Sequence, residues 1–247
     1  MTDSVTDPKT GPTIEICVDA PKDFDRAVSA RVDRIELCSA LAVGGLTPTP
    51  GLLAHARHCP VPVYAMIRPR AGHFRFSAAE VASMIEDIAH VVDSGLAGVV
   101  LGASTSATEP GLDIETLERL GQAAGPLGKT LHRVVDTLSD PVSAIEPAIE
   151  LGFERILTSG GADQALDGLQ ELARMVQAAA GRIEIMAGSG VSASHVQPLR
   201  AVGIEAFHAS CARVIDSSGT RAIDPEAFRS LQTALVAAGR RRLCKPL

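Results

Sequence analysis

The 247-residue chain has no tryptophan, one tyrosine and only 3% aromatic residues. It therefore lacks the stacking side chains that a single-stranded nucleic-acid platform uses. It also lacks an excess of positive charge: 23 Lys and Arg stand against 29 Asp and Glu, for a net −6. The one basic cluster is Arg240-Arg241-Arg242, in a tail spanning 240–247, so no nucleic-acid partner is expected. No apolar run approaches the roughly 20 residues that cross a bilayer, which excludes a helical membrane span. The opening MTDSVTDPKTGP is polar, without the basic-then-apolar order of a signal peptide, and residues 1–12 read as a flexible leader. The five cysteines (17, 38, 59, 211 and 244) are odd in number and scattered, with no CxxC. Reduced thiols and a cytoplasmic location are expected. GxGxxG, P-loop, HExxH, EF-hand, zinc-cysteine and nucleophile-elbow patterns are also missing.

What is present is a repeating alternation. With 46% hydrophobic and 21% charged residues, the chain can bury a substantial core. Strand-like runs fall at 14–18, 33–38, 63–68, 97–101, 129–133, 154–158, 183–187 and 204–208. Helical patterns fall at 22–30, 50–58, 78–93, 113–123, 140–150, 163–179, 192–202 and 225–238, and Ser77, Asp140-Pro141 and Asp224-Pro225 offer start signals. Eight βα units with no linker between them predict an α/β fold, a single-domain (β/α)8 TIM barrel over 13–239. Val32–Ser39 and Phe153–Gly160 echo each other at strands two and six, as half-barrel repetition would place them.

Side chains alternate along a strand. The apolar positions face the helices, which leaves Glu15, Cys17, Asp19, Glu36, Cys38, Met66, Arg68, Thr130, His132, Leu157, Ser159, Glu184, Met186 and His208 inside. Charged groups there must be paired. They form either a core-pinning Arg/Glu network or, at the strand C-termini, a working site. In that site Glu36 or His132 serves as general acid or base, Arg68 as an electrostatic clamp, and His208 as a further candidate. Lys129 begins strand five, and no interior lysine ends a strand, which disfavours Schiff-base chemistry.

Three turns after strands are rich in glycine and hydroxyls: Thr158-Ser159-Gly160-Gly161, Ala187-Gly188-Ser189-Gly190 and Ala209-Ser210. Backbone N–H groups in such turns cradle anions, and barrel phosphate sites use the loops after strands seven and eight. Ser159, Gly160, Gly188, Gly190 and Ser210, with Arg70 as a second clamp, are the candidate anion binders. Cys17 and Cys38, on adjacent strands, form a candidate Cu(I) pair with Met66 or a histidine as third ligand. The plain alternative is that both thiols are small core hydrophobes. His55, His58 and Cys59 are expected to be a solvated helix end.

Several segments together resemble the CutC family, named for copper homeostasis, from Ile14 to about Arg213. They are Ile16-Cys17-Val18-Asp19, Arg34–Leu41, Gly44–Pro48, Met66-Ile67-Arg68-Pro69-Arg70, His132-Arg133 with Asp136, Ile156–Gly160, Met186–Val191 and Phe207-His208-Ala209-Ser210. The resemblance implies a TIM barrel, a cytosolic role in copper homeostasis, and copper binding at Cys17 and Cys38. This chain departs from the family pattern at Ala71, His73, Phe76, Leu131 and Val135, so the loop after strand three is expected to bind differently. Two functions from different classes follow. One is a Cu(I)-binding homeostasis protein. The other is a lyase- or isomerase-type barrel enzyme acting on a small phosphorylated or carboxylated substrate. The partners implied are a copper ion or a small anionic ligand, and the oligomeric state is left open, a homo-oligomer included.

Overall fold

The computed structural model describes residues 11–106, 108, 110–217 and 221–239. The Arg240–Arg242 cluster, Cys244 and most of the leader lie outside them. Eight parallel strands close into a barrel: β1 (Thr13–Val18), β2 (Arg34–Leu37), β3 (Val63–Met66), β4 (Gly98–Leu101), β5 (Gly128–Leu131), β6 (Arg155–Thr158), β7 (Glu184–Ala187) and β8 (Ala206–Ala209). Closure comes from β8 pairing with β1, with Glu15 opposite His208. The surrounding helices are α1 (Pro21–Ser29), α2 (Pro50–Ala56), α3 (Ala78–Asp93), α4 (Ile114–Ala124), α5 (Ile145–Glu150), α6 (Leu169–Ala179), α7 (Val196–Ala201) and α8 (Pro225–Ala237). The expected (β/α)8 barrel is the observed fold.

Local chemistry sets where the helices begin. Ser77 and Glu80 form a reciprocal capping box on α3, and Thr49, Asp113 and Asp224 accept from the first free N–H groups of α2, α4 and α8. Three expected helices start late. Residues 141–144 and 193–195 wind as 3-10 turns before α5 and α7. The segment 163–168 is drawn instead into the loop after β7: Ala165 N–H donates to the Ser189 carbonyl, and Ser189 Oγ to the Asp163 carbonyl. Beyond the eight units lies an antiparallel pair not foreseen in the sequence, β9 (Ala212–Val214) and β10 (Arg221–Ile223). It is tied to α1 where Ile223 N–H donates to the buried Asp23.

The alternation along the strands is obeyed. Ile14, Ile16, Ile35, Leu37 and their counterparts join the helix-facing core, while Cys38, Tyr64, Met66 and Val100, and separately Leu157, Met186 and Ala206, pack inside the barrel. The barrel floor is a charged layer. Arg34 pairs with Glu15, Arg155 with Glu154 and Glu184, and both guanidinium groups lie over the Tyr64 ring. Arg34 and Arg155 occupy matching positions in the two echoed segments. The Tyr64 hydroxyl donates to Glu154 at 2.7 Å.

That ring fits because its neighbours have no side chains. A Cβ on Gly128 would lie 2.1 Å from Tyr64 Oη, and one on Gly98 would lie 2.2 Å from the ring. Gly128→Ala is therefore expected to cost about 2–3 kcal/mol through overpacking. The same change made on a Tyr64→Ala background should cost under about 1 kcal/mol. Urea denaturation of the four-protein cycle checks this, and equal costs in both backgrounds would break the assignment.

Candidate functional site

The C-terminal ends of the strands surround a cavity of about 610 Å³. Cys17, Glu36, Met66, Arg68, His132, Gly190, His208 and Ser210 all line it. Of the residues singled out from sequence, the structure brings these together.

Arg68 follows β3 and is 6% exposed. The Gly44-Gly45 turn is built around it. Both glycines have positive φ (91° and 84°), a Cβ on Gly44 would stand 3.1 Å from Arg68 Nη1, and Nη1 donates to the carbonyls of Val43 and Gly45. Nη2 donates to the Gly72 carbonyl at 2.8 Å, and Phe74 closes over the guanidinium at 4.8 Å. Nε has no partner. Among the described residues this buried cation therefore meets carbonyls rather than a carboxylate. Burial, and then the nearby Arg70, lower its pKa, but a guanidinium keeps its charge in any protein environment.

His132 caps the turn after β5. Its Nδ1 accepts from Val134 N–H at 3.1 Å, so the neutral ring carries its proton on Nε2, which is buried and unpartnered. Phe74 packs on one face, and a Cβ on Gly102 would lie 2.4 Å from Cε1. Burial, aided by the Arg68 charge, holds its pKa down at about 3. His132 is thus held neutral at physiological pH, with Nε2–H as its unpaired donor.

His208, Glu36 and Cys17 also line the cavity, with Glu15 buried behind His208. His208 Nδ1 lies 2.7 Å from Glu15 Oε1, and Nε2 lies 3.7 Å from Glu36 Oε2. Burial opposes a charge on His208, but Cys17, Glu36 and the Glu15 hydrogen bond outweigh it and hold the ring well above the usual imidazole value. Glu15 is also buried, yet Arg34 and His208 draw its carboxyl down to about 2. Glu36 goes the other way: burial lifts it above the usual range despite the pull of His208, and Glu15 adds to the rise. Burial likewise raises the Cys17 thiol.

Cys38 sits differently from Cys17. The register pairs Cys17 with Glu36, which places Cys38 two residues further along β2, about 8 Å away between Cα atoms. Its thiol donates to Glu36 Oε2 at 3.5 Å and packs with Tyr64, Met66 and Val100, facing Gly45. Burial, then Glu36, push it well above the ordinary thiol range. Cys17, Cys38, Cys59 and Cys211 are all free. Cys211, also in the cavity wall, stands at φ +49°, and burial pushes its thiol up to about 12.

Several sequence candidates are engaged elsewhere. Arg70 is paired with Glu80 and donates to the carbonyls of Ala71, His73 and Arg75, so it pins the loop after β3. His73 is exposed beside it. Gly188 makes room for Leu157 and His208, with a Cβ there 2.4 Å from Leu157. The Thr158–Gly161 turn does hold an anion, and that anion is the chain's own Asp136. Its carboxylate accepts from the N–H groups of Ser159 and Gly161, from both hydroxyls of Thr158 and Ser159, and from Arg133. Among the described residues, the three metal-capable ligand atoms that converge within 4.8 Å are those of Cys17, Glu36 and His208. His55 pairs with Asp25 on the surface.

Sequence reasoning missed the role of Glu15 as the brace of His208. The equal depth of the two residues on strands that close the barrel was the available signal. It also missed Phe74, which nothing in the strand pattern marks.

The comparisons agree with this architecture. The CutC family model matches residues 12–213. A CutC family protein of Rhizobium meliloti (strain 1021) is 45% identical over 240 residues, covering 95% of this chain and 97% of the relative. One from Caulobacter vibrioides (strain NA1000 / CB15N) is 48% identical over 198 residues, covering 80% of each. The crystal structure of CutC from Streptococcus agalactiae superposes with a TM-score of 0.75 at 33% identity, covering 81% of this chain and 98% of that one. The chain belongs to the CutC family.

Proposed function

We propose that the barrel mouth is the active site of an enzyme that acts on a small carboxylated or phosphorylated substrate by proton transfer, as a lyase or isomerase does. The observation that carries this reading is Arg68, a buried cation lining the cavity with an unpartnered Nε and, among the described residues, no carboxylate of its own. A buried charge is stable only with a partner, and a ligand anion supplies one through a side-on pair of N–H donors. His132 then presents Nε2–H to an oxygen on which charge develops, a task a neutral imidazole performs without losing its proton. Glu36, with its raised pKa and unpartnered Oε1, is the group that moves the proton. Ser189–Ser192 and Ser210 complete the wall.

The test is a thermal-shift panel of small carboxylates and phosphates, followed by proton–deuterium exchange on whichever anion binds. Wild type should exchange a substrate proton. Glu36→Gln should bind with a similar midpoint shift and lose exchange by about 10²–10⁴-fold. Unchanged exchange in Glu36→Gln would remove Glu36 from the chemistry.

A second reading is Cu(I) binding. The Streptococcus relative is named for copper homeostasis, and the cavity wall carries the Cys17 thiol and the Met66 thioether, soft donors of the kind Cu(I) selects, along with His208. Cys38 would join Cys17 on one ion by turning its thiol away from Glu36. An anaerobic Cu(I) competition titration of wild type beside Cys17→Ser/Cys38→Ser tests this, the double variant being expected to lose the tight site.

A further inference from the structure

We infer that Cys17, Glu36 and His208 form a binding centre for a single borderline divalent cation of the zinc class, with Cys38 and Glu15 holding two of the ligands in place rather than binding the ion. The inference does not rest on the anionic-substrate reading: Arg68 and His132 take no part in it, and Glu36, to which that reading gives the proton transfer in the metal-free protein, becomes a ligand when the ion is bound.

The geometry comes first. The three ligand atoms lie within 4.8 Å of one another, and all three residues are at least nine-tenths buried. Bond lengths near 2.0–2.3 Å in a tetrahedral site put neighbouring ligand atoms about 3.3–3.6 Å apart. His208 Nε2 and Glu36 Oε2 are already 3.7 Å apart, so small side-chain rotations close the site.

The supporting contacts point the same way. Glu15 Oε1 holds His208 Nδ1 at 2.7 Å and leaves Nε2 directed at Cys17 and Glu36. A carboxylate on the far nitrogen of a ligating histidine is the usual outer support of such centres. Arg34 neutralises Glu15 in turn. Cys38 does for Glu36 what Glu15 does for His208, donating its thiol proton to Oε2. Glu36 Oε1 is buried without a partner, and Oε2 is the oxygen that stands toward His208 Nε2.

The donor set selects the ion. One sulfur, one imidazole nitrogen and one carboxylate oxygen suit zinc, whereas Cu(I) prefers thiolate and thioether and gains little from a carboxylate. Charge agrees. When the ion binds, the proton of the Cys17 thiol and any protons on Glu36 and His208 Nε2 leave to solvent. A dication then meets one thiolate and one carboxylate, and the buried centre is neutral. A monovalent ion is neutralised by the thiolate alone and leaves Glu36 unused. Three protein ligands with the fourth side open to the cavity match the arrangement of catalytic rather than structural zinc.

The test is anaerobic titration of the chelator-stripped, reduced protein with Co²⁺, followed by Zn²⁺ displacement against a chromophoric chelator. Wild type should take up one Co²⁺ per chain, develop a thiolate-to-cobalt charge-transfer band, and lose that band on adding Zn²⁺. Cys17→Ser should lose the band and bind Zn²⁺ about a hundredfold more weakly or worse, with His208→Gln similarly impaired. Cys38→Ser, which keeps a donor toward Glu36, should retain the band and stay within about tenfold of wild type. Thermal melts confirm that each variant is folded, and Cys17→Ser, a near-isosteric change, carries the result if His208→Gln does not fold. A band that survives in Cys17→Ser, or one that vanishes in Cys38→Ser, overturns the assignment, as does a wild type that takes up no Co²⁺.

Discussion

Asp136→Ala is expected to lower folding stability by about 3–5 kcal/mol, a loss of the size seen when one member of a buried charged network is removed. The carboxylate collects donors from Thr158 at the end of β6, from Ser159 and Gly161 in the turn after it, and from Arg133. Alanine leaves two backbone N–H groups and a hydroxyl without an acceptor, next to a guanidinium that has lost its counter-charge. Asp136→Asn should cost nearly as much, because its amide places N–H groups against other donors. The diagnostic result is rescue. Formate at high concentration should raise the melting temperature of Asp136→Ala by clearly more than it raises that of wild type, since the turn regains an anion. Denaturation in urea gives the loss, and a loss under about 1 kcal/mol would mean the turn holds its shape without the carboxylate.

His132 sets the second large effect, on acid stability. Its pKa is about 3 in the folded protein against an ordinary value of 6.5. The unfolded chain therefore takes up a proton below pH 6.5 that the folded chain refuses. The stability from this residue is complete above pH 6.5 and is lost as pH falls toward 3, by about 1.4 kcal/mol per pH unit. Glu36 has the opposite sign in part of this window, since its raised pKa makes the folded state hold a proton that the unfolded state releases. The informative quantity is consequently the difference between His132→Gln and wild type. Between pH 7 and pH 4.5 that difference should move in favour of the variant by about 2.5 kcal/mol. Urea midpoints at four or five pH values measure it. A pH-independent difference would mean that His132 can be protonated in place.

Much of the fold was legible because its periods are strong. The alternation of Ile14, Ile16 and Val18 against Glu15 and Cys17 assigns an inner and an outer face without any tertiary information, and every strand obeys it. Helix starts were read where Ser77 and Asp224 provide a cap. They were missed by up to six residues at 163–168, where the chain pairs with the β7 loop and local propensity yields to a distant backbone. The site was legible in composition and not in assignment. Glu36, Arg68, His132 and His208 do converge on one cavity, because strand C-termini meet there by topology. Which donors are already spent depends on three-dimensional neighbours. Arg68 and Arg70 look equivalent in Met66-Ile67-Arg68-Pro69-Arg70, yet one turns into the barrel and the other onto Glu80. The glycine turn at 158–161 was recognisable as an anion cradle, but nothing local shows that Asp136, 22 residues before Thr158, occupies it. The stagger of β1 against β2 separated two cysteines that sit at like distances from their strand starts.

The claim on which the functional account depends is that Arg68 receives the charge of a ligand. The most direct measurement is calorimetric titration of wild type, Arg68→Lys and Arg68→Met with the anion that gives the largest thermal shift in the panel. One anion per chain should bind wild type. Arg68→Met should bind it at least about 30-fold more weakly, the loss expected on truncating a buried charge partner. Arg68→Lys should fall between, because an ammonium keeps the charge and loses the two-pronged geometry. Equal affinity in wild type and Arg68→Met, or no binding to wild type by any carboxylate or phosphate tested, would contradict the account.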